Sequence, residues 1–277
     1  MKRILVVFVV MMFISSILYA ESQTKKFVRF EYDETVAYGL VINDTEIQTI
    51  EGDIFGNYTL QDNKLNLADV KILPPTTPSK IIAVGLNYQS HSGMAGAGTP
   101  GLFSKLPSSL TAHDSPIWLY RDSTNLHYEG EMVLVIGKKA HQLSEADVDE
   151  VVFGVTVGND LSERDWQMSD LQWIRAKGAD SYSPAGPWIV TGLDYNNLRI
   201  QTRVNGLVRQ NESTKNLIHN VNRIVSYISQ YITLLPGDLI FTGTPGQTRA
   251  LKAGDVIEVE LEGVGILRNM VEMKPAD

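Results

Sequence analysis

Short runs in which apolar and polar residues alternate recur along most of the chain and predict many strands and few helices. Segments 36–42 and 46–50 flank Asn43-Asp44, a pattern typical of two strands joined by a hairpin turn. Further strands are predicted over three segments, 80–86, 128–137 and 151–157. Apolar residues at steps of three and four between 214 and 231 predict one amphipathic helix packed on the sheet. We therefore expect an α+β protein that is predominantly β, with a mixed or antiparallel sheet.

A proline-rich segment, 73–78, divides this pattern. Its prolines cannot continue a strand ladder, and they stiffen the backbone. We therefore expect a small N-terminal domain over residues 21–75 and a larger domain over residues 78–275. Small residues and glycines dominate segment 90–101, which predicts a mobile loop.

Residues 1–20 have the three parts of a secretory signal peptide. A basic start is followed by an almost wholly apolar run over 4–17 and by a small residue, Ala20. The apolar run is short for a membrane-spanning helix, which needs about 20 such residues. The sequence therefore predicts an exported, periplasmic protein, with an uncleaved N-terminal membrane anchor as the alternative.

Composition excludes several classes of function. The 277 residues include 24 Lys and Arg against 32 Asp and Glu, a formal net charge of −8. This balance, without any basic run, argues against nucleic-acid binding, because phosphate recognition needs a concentrated positive field. Cysteine is absent, which excludes disulfides, zinc-thiolate sites and a cysteine nucleophile.

Two glutamates head an otherwise apolar strand. Residues two apart in a strand share a face, so Glu129 and Glu131 are predicted to point the same way as Val133 and Val135. Neighbouring carboxylates resist burial unless a cation or a proton compensates them. The alternative is an exposed strand end with two solvated glutamates.

A third acid, Asp160, ends the apolar segment 153–160. Ser162 and Asp165 resemble a capping box that opens a helix. If that helix forms, Asp160, Arg164 and Gln167 line one of its faces. Three carboxylates at two strand ends are the ligand set of a hard divalent cation, Mg²⁺ or Mn²⁺.

Six motifs occur in the order seen in the fumarylacetoacetate hydrolase family, which the chain resembles from about Lys80 to Val271. They are Gly85-Leu86-Asn87-Tyr88-Gln89-Ser90-His91, Tyr128-Glu129-Gly130-Glu131, Asn159-Asp160 through Gln167, Lys177 before Pro184-Ala185-Gly186-Pro187-Trp188, Val204-Asn205-Gly206, and Pro236-Gly237-Asp238 leading to Thr242-Gly243-Thr244-Pro245. The resemblance implies a mixed β-roll catalytic domain, usually dimeric, that binds Mg²⁺ or Mn²⁺ and processes 2-oxo acids.

The resemblance also implies roles for individual residues. Glu129, Glu131 and Asp160 would be the metal ligands, and Lys177 would lie beside the metal and a substrate oxygen. Arg164 and Gln167 would contact the substrate or hold the ligand shell. Thr244 would bind a substrate carboxylate, in a turn where glycine lets backbone N–H groups approach a ligand. Trp166, Trp173 and Trp188 are expected in the core or at a dimer contact.

His91 departs from the family pattern. Several family enzymes pair this histidine with a glutamate three residues later, which orients the imidazole to activate water, but here the position holds Met94. Nearby glycines argue against a preformed helix, so we expect a lid that orders when substrate binds.

The resulting hypothesis is a metal-dependent enzyme that cleaves or decarboxylates a small acylpyruvate-like 2-oxo acid through an enolate. An isomerase or tautomerase of 2-hydroxy-dienoic acids is an alternative, because moving a proton needs no activated water. A non-catalytic 2-oxo acid binding protein is another.

Overall fold

A computed structural model describes residues 24–93 and 95–276. The predicted signal segment, residues 1–20, and Met94 lie outside the described residues. The strands, in chain order, are β1 Lys25–Tyr32, β2 Thr35–Val41, β3 Glu46–Gly52, β4 Tyr58–Asn66, β5 Lys71–Ile72, β6 Ile81–Gly85, β7 Gly101–Lys105, β8 Leu110–Thr111, β9 Pro116–Leu119, β10 Leu126–His127, β11 Gly130–Ile136, β12 Val152–Asn159, β13 Ser162–Glu163, β14 Ser183–Thr191, β15 Arg199–Val204, β16 Leu207–Ser213, β17 Leu239–Phe241, β18 Val256–Leu261 and β19 Gly265–Met273. The α-helices are α1 Gln89–Ser92, α2 Arg164–Ser169, α3 Ile174–Gly178 and α4 Val221–Tyr231.

One long sheet carries most strands, in the order β4-β3-β2-β1-β14-β12-β11-β17-β6-β7. Its strands are mainly antiparallel, but β17 and β6 pair in parallel. A second sheet, β16-β15-β18-β19-β9, packs against it and shares its largest apolar core. These mixed sheets confirm the predicted fold class. None of the helices among residues 24–93 and 95–276 is long and apolar enough to cross a membrane.

The N-terminal strands are continuous with the long sheet. β1 pairs antiparallel with β14, with Phe27 opposite Ile189. The predicted hairpin around Asn43 is confirmed, because β2 and β3 pair and the Asn43 side chain accepts hydrogen bonds from two backbone N–H groups of the turn. The segment with the prolines runs between β5 and β6 without regular structure.

β11 is the central strand that carries the site. Met132, Leu134 and Ile136 belong to the core between the two sheets, while Val133 and Val135 pack in a second core on the opposite face. Burial on both faces explains why this strand is a continuous apolar run.

Three local predictions need correction. The helix predicted over 214–231 begins only at Val221, because residues before it bond to Asn87: the N–H of Ile218 and the N–H of His219 donate to its backbone and side-chain oxygens. Asn220 then caps α4 by accepting from the Arg223 N–H.

The cap of α2 is Glu163 and not Ser162. The Glu163 carboxylate accepts from the Trp166 N–H at 2.7 Å, whereas the Ser162 hydroxyl donates back to the carbonyl oxygen of Asp160. The expectation that no helix is preformed in the lid is wrong for its first residues, because His91 lies in α1, a single helical turn. That turn ends at Gly93, so the glycines that argue against a helix come after it.

Candidate metal and substrate site

A buried acidic cluster lies where β11 begins and β12 ends. These strands run antiparallel, with Gly130 opposite Asn159, so the residue before β11 and the residue after β12 are neighbours. The backbone N–H of Asp160 donates to the carbonyl oxygen of Glu129 at 2.8 Å. Glu129, Glu131 and Asp160 are at most 4% exposed, and one carboxylate oxygen from each lies within 4.8 Å of the others. The structure thus brings together the three carboxylates that the sequence predicts as a ligand set.

Two buried lysines face this cluster. Lys177 Nζ lies 2.7 Å from Glu129 Oε2 and 2.6 Å from Asp160 Oδ2. Lys105 Nζ lies 2.5 Å from Asp160 Oδ1 and donates to the carbonyl oxygen of Lys177. Lys177 comes from the last turn of α3, although the sequence suggests a segment of turns. Lys105 ends β7 and carries no local sequence signal, since a lysine at a strand end is ordinarily solvated.

Burial and charge act differently on these groups. Burial opposes ionisation of Glu129, but Lys177 and Arg164 outweigh it and hold the pKa of that carboxyl below its usual value. Burial and the negative charges of Asp160 and Glu129 raise the pKa of Glu131 well above its usual value. Glu131 forms no ion pair within the described residues. It is the member of the cluster that most needs an added cation.

The pKa values of the two lysines shift in opposite directions. Burial lowers the pKa of Lys105 and outweighs its attraction to Asp160. Lys177 is equally buried, but two carboxylates, on Asp160 and Glu129, outweigh desolvation and raise its pKa. Lys177 is therefore the more firmly charged of the pair.

Arg164 and Gln167 border the acids from α2. Arg164 donates to a carboxylate oxygen of Glu129 and, at 2.8 Å, to the Gln167 side chain. The two residues lie one turn apart on the helix, as their spacing predicts. Asp160 does not share that face: it lies before the helix, between β12 and β13. The predicted three-residue helix face is therefore wrong, yet the three side chains still line one pocket.

The segment Thr242-Gly243-Thr244-Pro245 contacts the acidic cluster through hydrogen bonds to Glu131 and Gly130. Gly243 has φ +108°, and a Cβ there would lie 2.7 Å from the Asn87 Cβ, so only glycine fits. Its N–H donates to Glu131 Oε2 at 2.7 Å and thus holds an acid. The Thr244 hydroxyl donates to the carbonyl oxygen of Gly130 at 3.0 Å. Thr244 lines the pocket, and its contact with substrate stays a prediction.

His91 reaches the site from α1. Its Nδ1 lies 2.6 Å from the carbonyl oxygen of Gly246. A carbonyl only accepts, so this hydrogen bond places a proton on Nδ1, and in the neutral ring the lone pair is then on Nε2. Nε2 lies 3.7 Å from Glu129 Oε1. A backbone carbonyl thus orients this histidine, in place of the missing glutamate.

These residues enclose a cavity of about 60 Å³. All eight residues that the sequence nominates line it: His91, Glu129, Glu131, Asp160, Arg164, Gln167, Lys177 and Thr244. Its other wall is apolar, formed by Val84, Leu86, Phe103 and Trp173. Trp166 is buried against Tyr182, as expected for a core residue, whereas Trp173 is 37% exposed at this wall and a dimer contact for it stays a prediction.

Two family models match the chain. The model described as fumarylacetoacetate (FAA) hydrolase C-terminal matches residues 80–272, and the model described as Rv2993c-like, N-terminal, matches residues 25–75. Protein Rv2993c of Mycobacterium tuberculosis is 41% identical over 79% of this chain and 85% of its own length. The mitochondrial oxaloacetate tautomerase Fahd2a of Rattus norvegicus is 38% identical over 72% of this chain and 68% of its own length.

Solved structures agree with these matches. A 5-carboxymethyl-2-hydroxymuconate delta-isomerase from Mycobacterium smegmatis superposes with a TM-score of 0.86 at 39% identity, covering 90% of this chain and 100% of its own. Maleylpyruvate hydrolase from Sphingobium sp. SYK-6, in complex with manganese(II) and pyruvate, superposes with a TM-score of 0.76 at 26% identity over the same shares.

The comparisons contradict the predicted export to the periplasm. Relatives whose names state a compartment, from Rattus norvegicus, Xenopus laevis and Bos taurus, are mitochondrial. A basic start followed by an apolar run does not by itself identify a compartment, which is why this prediction was wrong.

Proposed function

The chain belongs to the fumarylacetoacetate hydrolase family, and from that premise we propose a divalent-metal-dependent tautomerase that interconverts the keto and enol forms of a small 2-oxo acid. The observation that carries this proposal is a small buried pocket in which three carboxylates meet three cationic side chains while a backbone carbonyl orients the histidine. Relatives named as oxaloacetate tautomerases and isomerases support this class of reaction.

The acidic cluster suits Mg²⁺ or Mn²⁺. All three side chains offer oxygen, which these ions prefer, and their oxygens lie close enough to share one ion. Glu131 forms no ion pair among residues 24–93 and 95–276, so a bound ion would relieve the cost of burying it. When bound, such an ion polarises the 2-oxo and carboxylate oxygens of a substrate. The manganese in the maleylpyruvate hydrolase structure supports the same choice.

Formal charges indicate which form of the substrate the site stabilises. With all three acids ionised, as a metal-ligand role requires, they contribute −3 and the cationic groups contribute +3, so their sum is zero. The acids are Glu129, Glu131 and Asp160. The cationic groups are Lys105, Lys177 and Arg164. A divalent ion leaves an excess of +2. A substrate head with an ionised carboxylate and an enolate oxygen carries −2, whereas its keto form carries −1. The site is therefore complementary to the enolate, which is what catalysis of enolisation requires.

Lys177 and His91 have separate tasks in this proposal. Lys177 is fixed between two carboxylates, so it acts as a hydrogen-bond donor to the enolate oxygen. In its neutral form His91 carries the lone pair on Nε2, so it takes a proton from the substrate carbon next to the carbonyl and can return it. The enol forms when the enolate oxygen takes a proton from solvent and the protonated His91 releases its own proton to solvent, so that one proton has moved from carbon to oxygen overall. The reaction consumes no water, so it does not depend on the missing glutamate.

Hydrolysis of a carbon–carbon bond is the second candidate. His91 reaches the pocket 3.7 Å from Glu129 although position 94 is methionine. A histidine so placed could activate a water molecule, and the related maleylpyruvate hydrolase is named for such a reaction. Decarboxylation would use the same enolate.

The decisive experiment follows the fate of the substrate in D₂O. Oxaloacetate and an acylpyruvate are incubated with the protein and either MgCl₂, MnCl₂ or EDTA, and proton NMR is recorded. A tautomerase exchanges the C3 protons with solvent at a rate that depends on metal and leaves the carbon skeleton intact. Hydrolysis or decarboxylation instead produces smaller acids.

Asp160→Asn is the matched control, because it keeps the shape of the side chain and removes a ligand charge. We expect it to lose metal-dependent exchange. If calorimetry shows that the wild-type protein binds 2-oxo acids with metal but neither exchange nor cleavage occurs, the protein is a binding protein and the proposal is wrong.

We also propose a homodimer. Leu207 and Val208, at the tip of the β15–β16 hairpin, are 60% and 53% exposed. Apolar side chains paired at a surface are typical of protein contacts. Sedimentation equilibrium at twice the monomer mass would support the dimer, and a monomer at micromolar concentration would contradict it.

A further inference from the structure

Two bulky residues at the mouth of the pocket have left-handed backbone. Leu86 has φ +60° and Trp173 has φ +57°. Non-glycine residues rarely adopt this conformation, and it is most unusual for bulky side chains. Such strained positions persist where surrounding structure enforces them, and they cluster at functional sites. Both side chains line the pocket and are partly exposed, at 46% and 37%, so they border solvent.

Neighbouring contacts hold Leu86 in place. Asn87, the next residue, is fully buried and bonds to the backbone of His219 and Thr242. On the other side, the loop after α1 crosses so closely that a Cβ on Gly96 would lie 2.0 Å from the Leu86 carbonyl oxygen. The backbone of Leu86 therefore cannot relax easily, and its side chain stays at the mouth.

Trp173 is held by a kink. Gln172 before it is also left-handed, with φ +58°, and α3 with Lys177 starts directly after it. The indole ring packs edge-on against Phe103, with ring centres 5.5 Å apart. Phe103 in turn lies 4.8 Å from Lys177 Nζ. The Trp173 ring is thus fixed relative to the charged end of the pocket.

We propose that Leu86 and Trp173 form an apolar rim that limits the chain length of the substrate. The charged groups of the pocket would hold the 2-oxo acid head. Leu86 and Trp173 are the partly exposed apolar residues of the same pocket, so the remainder of the substrate would extend past them. The cavity of about 60 Å³ leaves little room between the charged groups and the two rim residues. This inference rests on the proposed 2-oxo acid substrate, and it makes the two residues specificity-determining.

Equilibrium binding of saturated 2-oxo acids tests the rim, because enolisation of such a ligand is reversible and leaves its carbon skeleton unchanged. Dissociation constants of 2-oxobutyrate and 2-oxooctanoate are measured by calorimetry in MnCl₂ for the wild-type protein, Leu86→Gly and Trp173→Gly. Glycine accepts the left-handed backbone and removes the side chain. We expect the wild-type protein to bind the short acid at least about tenfold more tightly, and each variant to reduce that ratio by about tenfold.

Gln142→Gly is the matched control. Gln142 is also left-handed, with φ +54°, but lies outside the pocket, so its variant relieves backbone strain and should leave the ratio unchanged. Trp173→Phe keeps an aromatic ring against Phe103 and should give an intermediate ratio if Trp173→Gly is poorly folded. A wild-type ratio near one, or unchanged ratios in the rim variants, would overturn the inference while leaving 2-oxo acid binding intact. Failure of every 2-oxo acid to bind would overturn the proposed substrate class and the rim with it.

Discussion

Lys105 forms a buried ion pair that compensates the negative charge of Asp160. Its side chain is fully buried and its ammonium group donates to Asp160 Oδ1 and to the carbonyl oxygen of Lys177. Without Lys105, Asp160 keeps only Lys177 as a cationic partner among the described residues, and breaking a buried ion pair costs up to about 3–5 kcal/mol. We therefore expect Lys105→Met to lower the free energy of unfolding by up to that amount in metal-free buffer, as measured by urea denaturation.

Lys71→Met provides the comparison for this variant. Lys71 pairs with Glu31 at the surface, where its side chain is 72% exposed, and such pairs contribute about 0–1 kcal/mol. Equal losses in the two variants would show that the Lys105 pair does not have the energetic role that its burial implies.

The sequence predicts the positions of the acids in the site but not that of Lys105. Glu129 and Glu131 are two apart on one strand, so strand geometry alone predicts their shared face. Lys105 meets Asp160 across 55 positions, and neither its neighbours nor its spacing indicates that β7 ends against the cluster. Trp173 is similar, because its left-handed backbone depends on how α3 joins the preceding turn.

The ends of elements were harder to predict than their existence. The strands around the acids were expected, and the positions of β11 and β12 confirm them. The hydrophobic pattern misses the start of α4, because the backbone N–H of His219 bonds to the Asn87 side chain instead of joining the helix. It misses the cap of α2, because the backbone N–H of Trp166 bonds to the Glu163 carboxylate. Hydrophobic spacing does not register such hydrogen bonds, which compete with the local pattern.

Gly158 in β12 packs closely against Val133 of β11 and Phe241 of β17. It lies opposite Glu131 in the β11–β12 ladder. A Cβ there would lie 2.4 Å from Val133 Cγ2 and 2.6 Å from Phe241 Cε1. Because these neighbours are buried, Gly158→Ala should cost about 1–3 kcal/mol through overpacking. It should also weaken manganese binding, measured by calorimetry, since β11 must shift.

Gly101→Ala is the control in a neighbouring part of the same sheet. A Cβ at Gly101 would meet its nearest atom at 3.7 Å, an ordinary contact. If both alanine variants bind manganese as the wild-type protein does, close packing at Gly158 is not what positions the acids.

At the scale of the whole molecule, the boundary at the proline-rich segment is clear in sequence but not in the sheet. Apolar residues from both sides of it share one core, including Phe27, Ile50, Val133 and Phe241. Composition marks where the chain turns, whereas pairing of β1 with β14 is a long-range contact that no local pattern indicates. The sheet therefore predicts that residues 24–276 unfold in one cooperative transition.

A substitution in the N-terminal strands tests this cooperativity. Trp188 packs against the same apolar cluster as Ile47, whereas Trp118, Trp166 and Trp173 lie outside that cluster. Ile47 is fully buried in β3, while all four tryptophans lie between 118 and 188. Ile47→Ala should cost about 2–5 kcal/mol through the cavity it leaves. If the sheet unfolds as one unit, tryptophan fluorescence in urea should report that full loss, although two strands, β2 and β1, separate β3 from β14. Leu60→Ala, at a position in β4 that is 43% exposed, should shift the midpoint of the urea transition much less. A fluorescence transition that Ile47→Ala leaves in place, with faster amide exchange confined to β2 and β3, would mean that the N-terminal strands unfold separately.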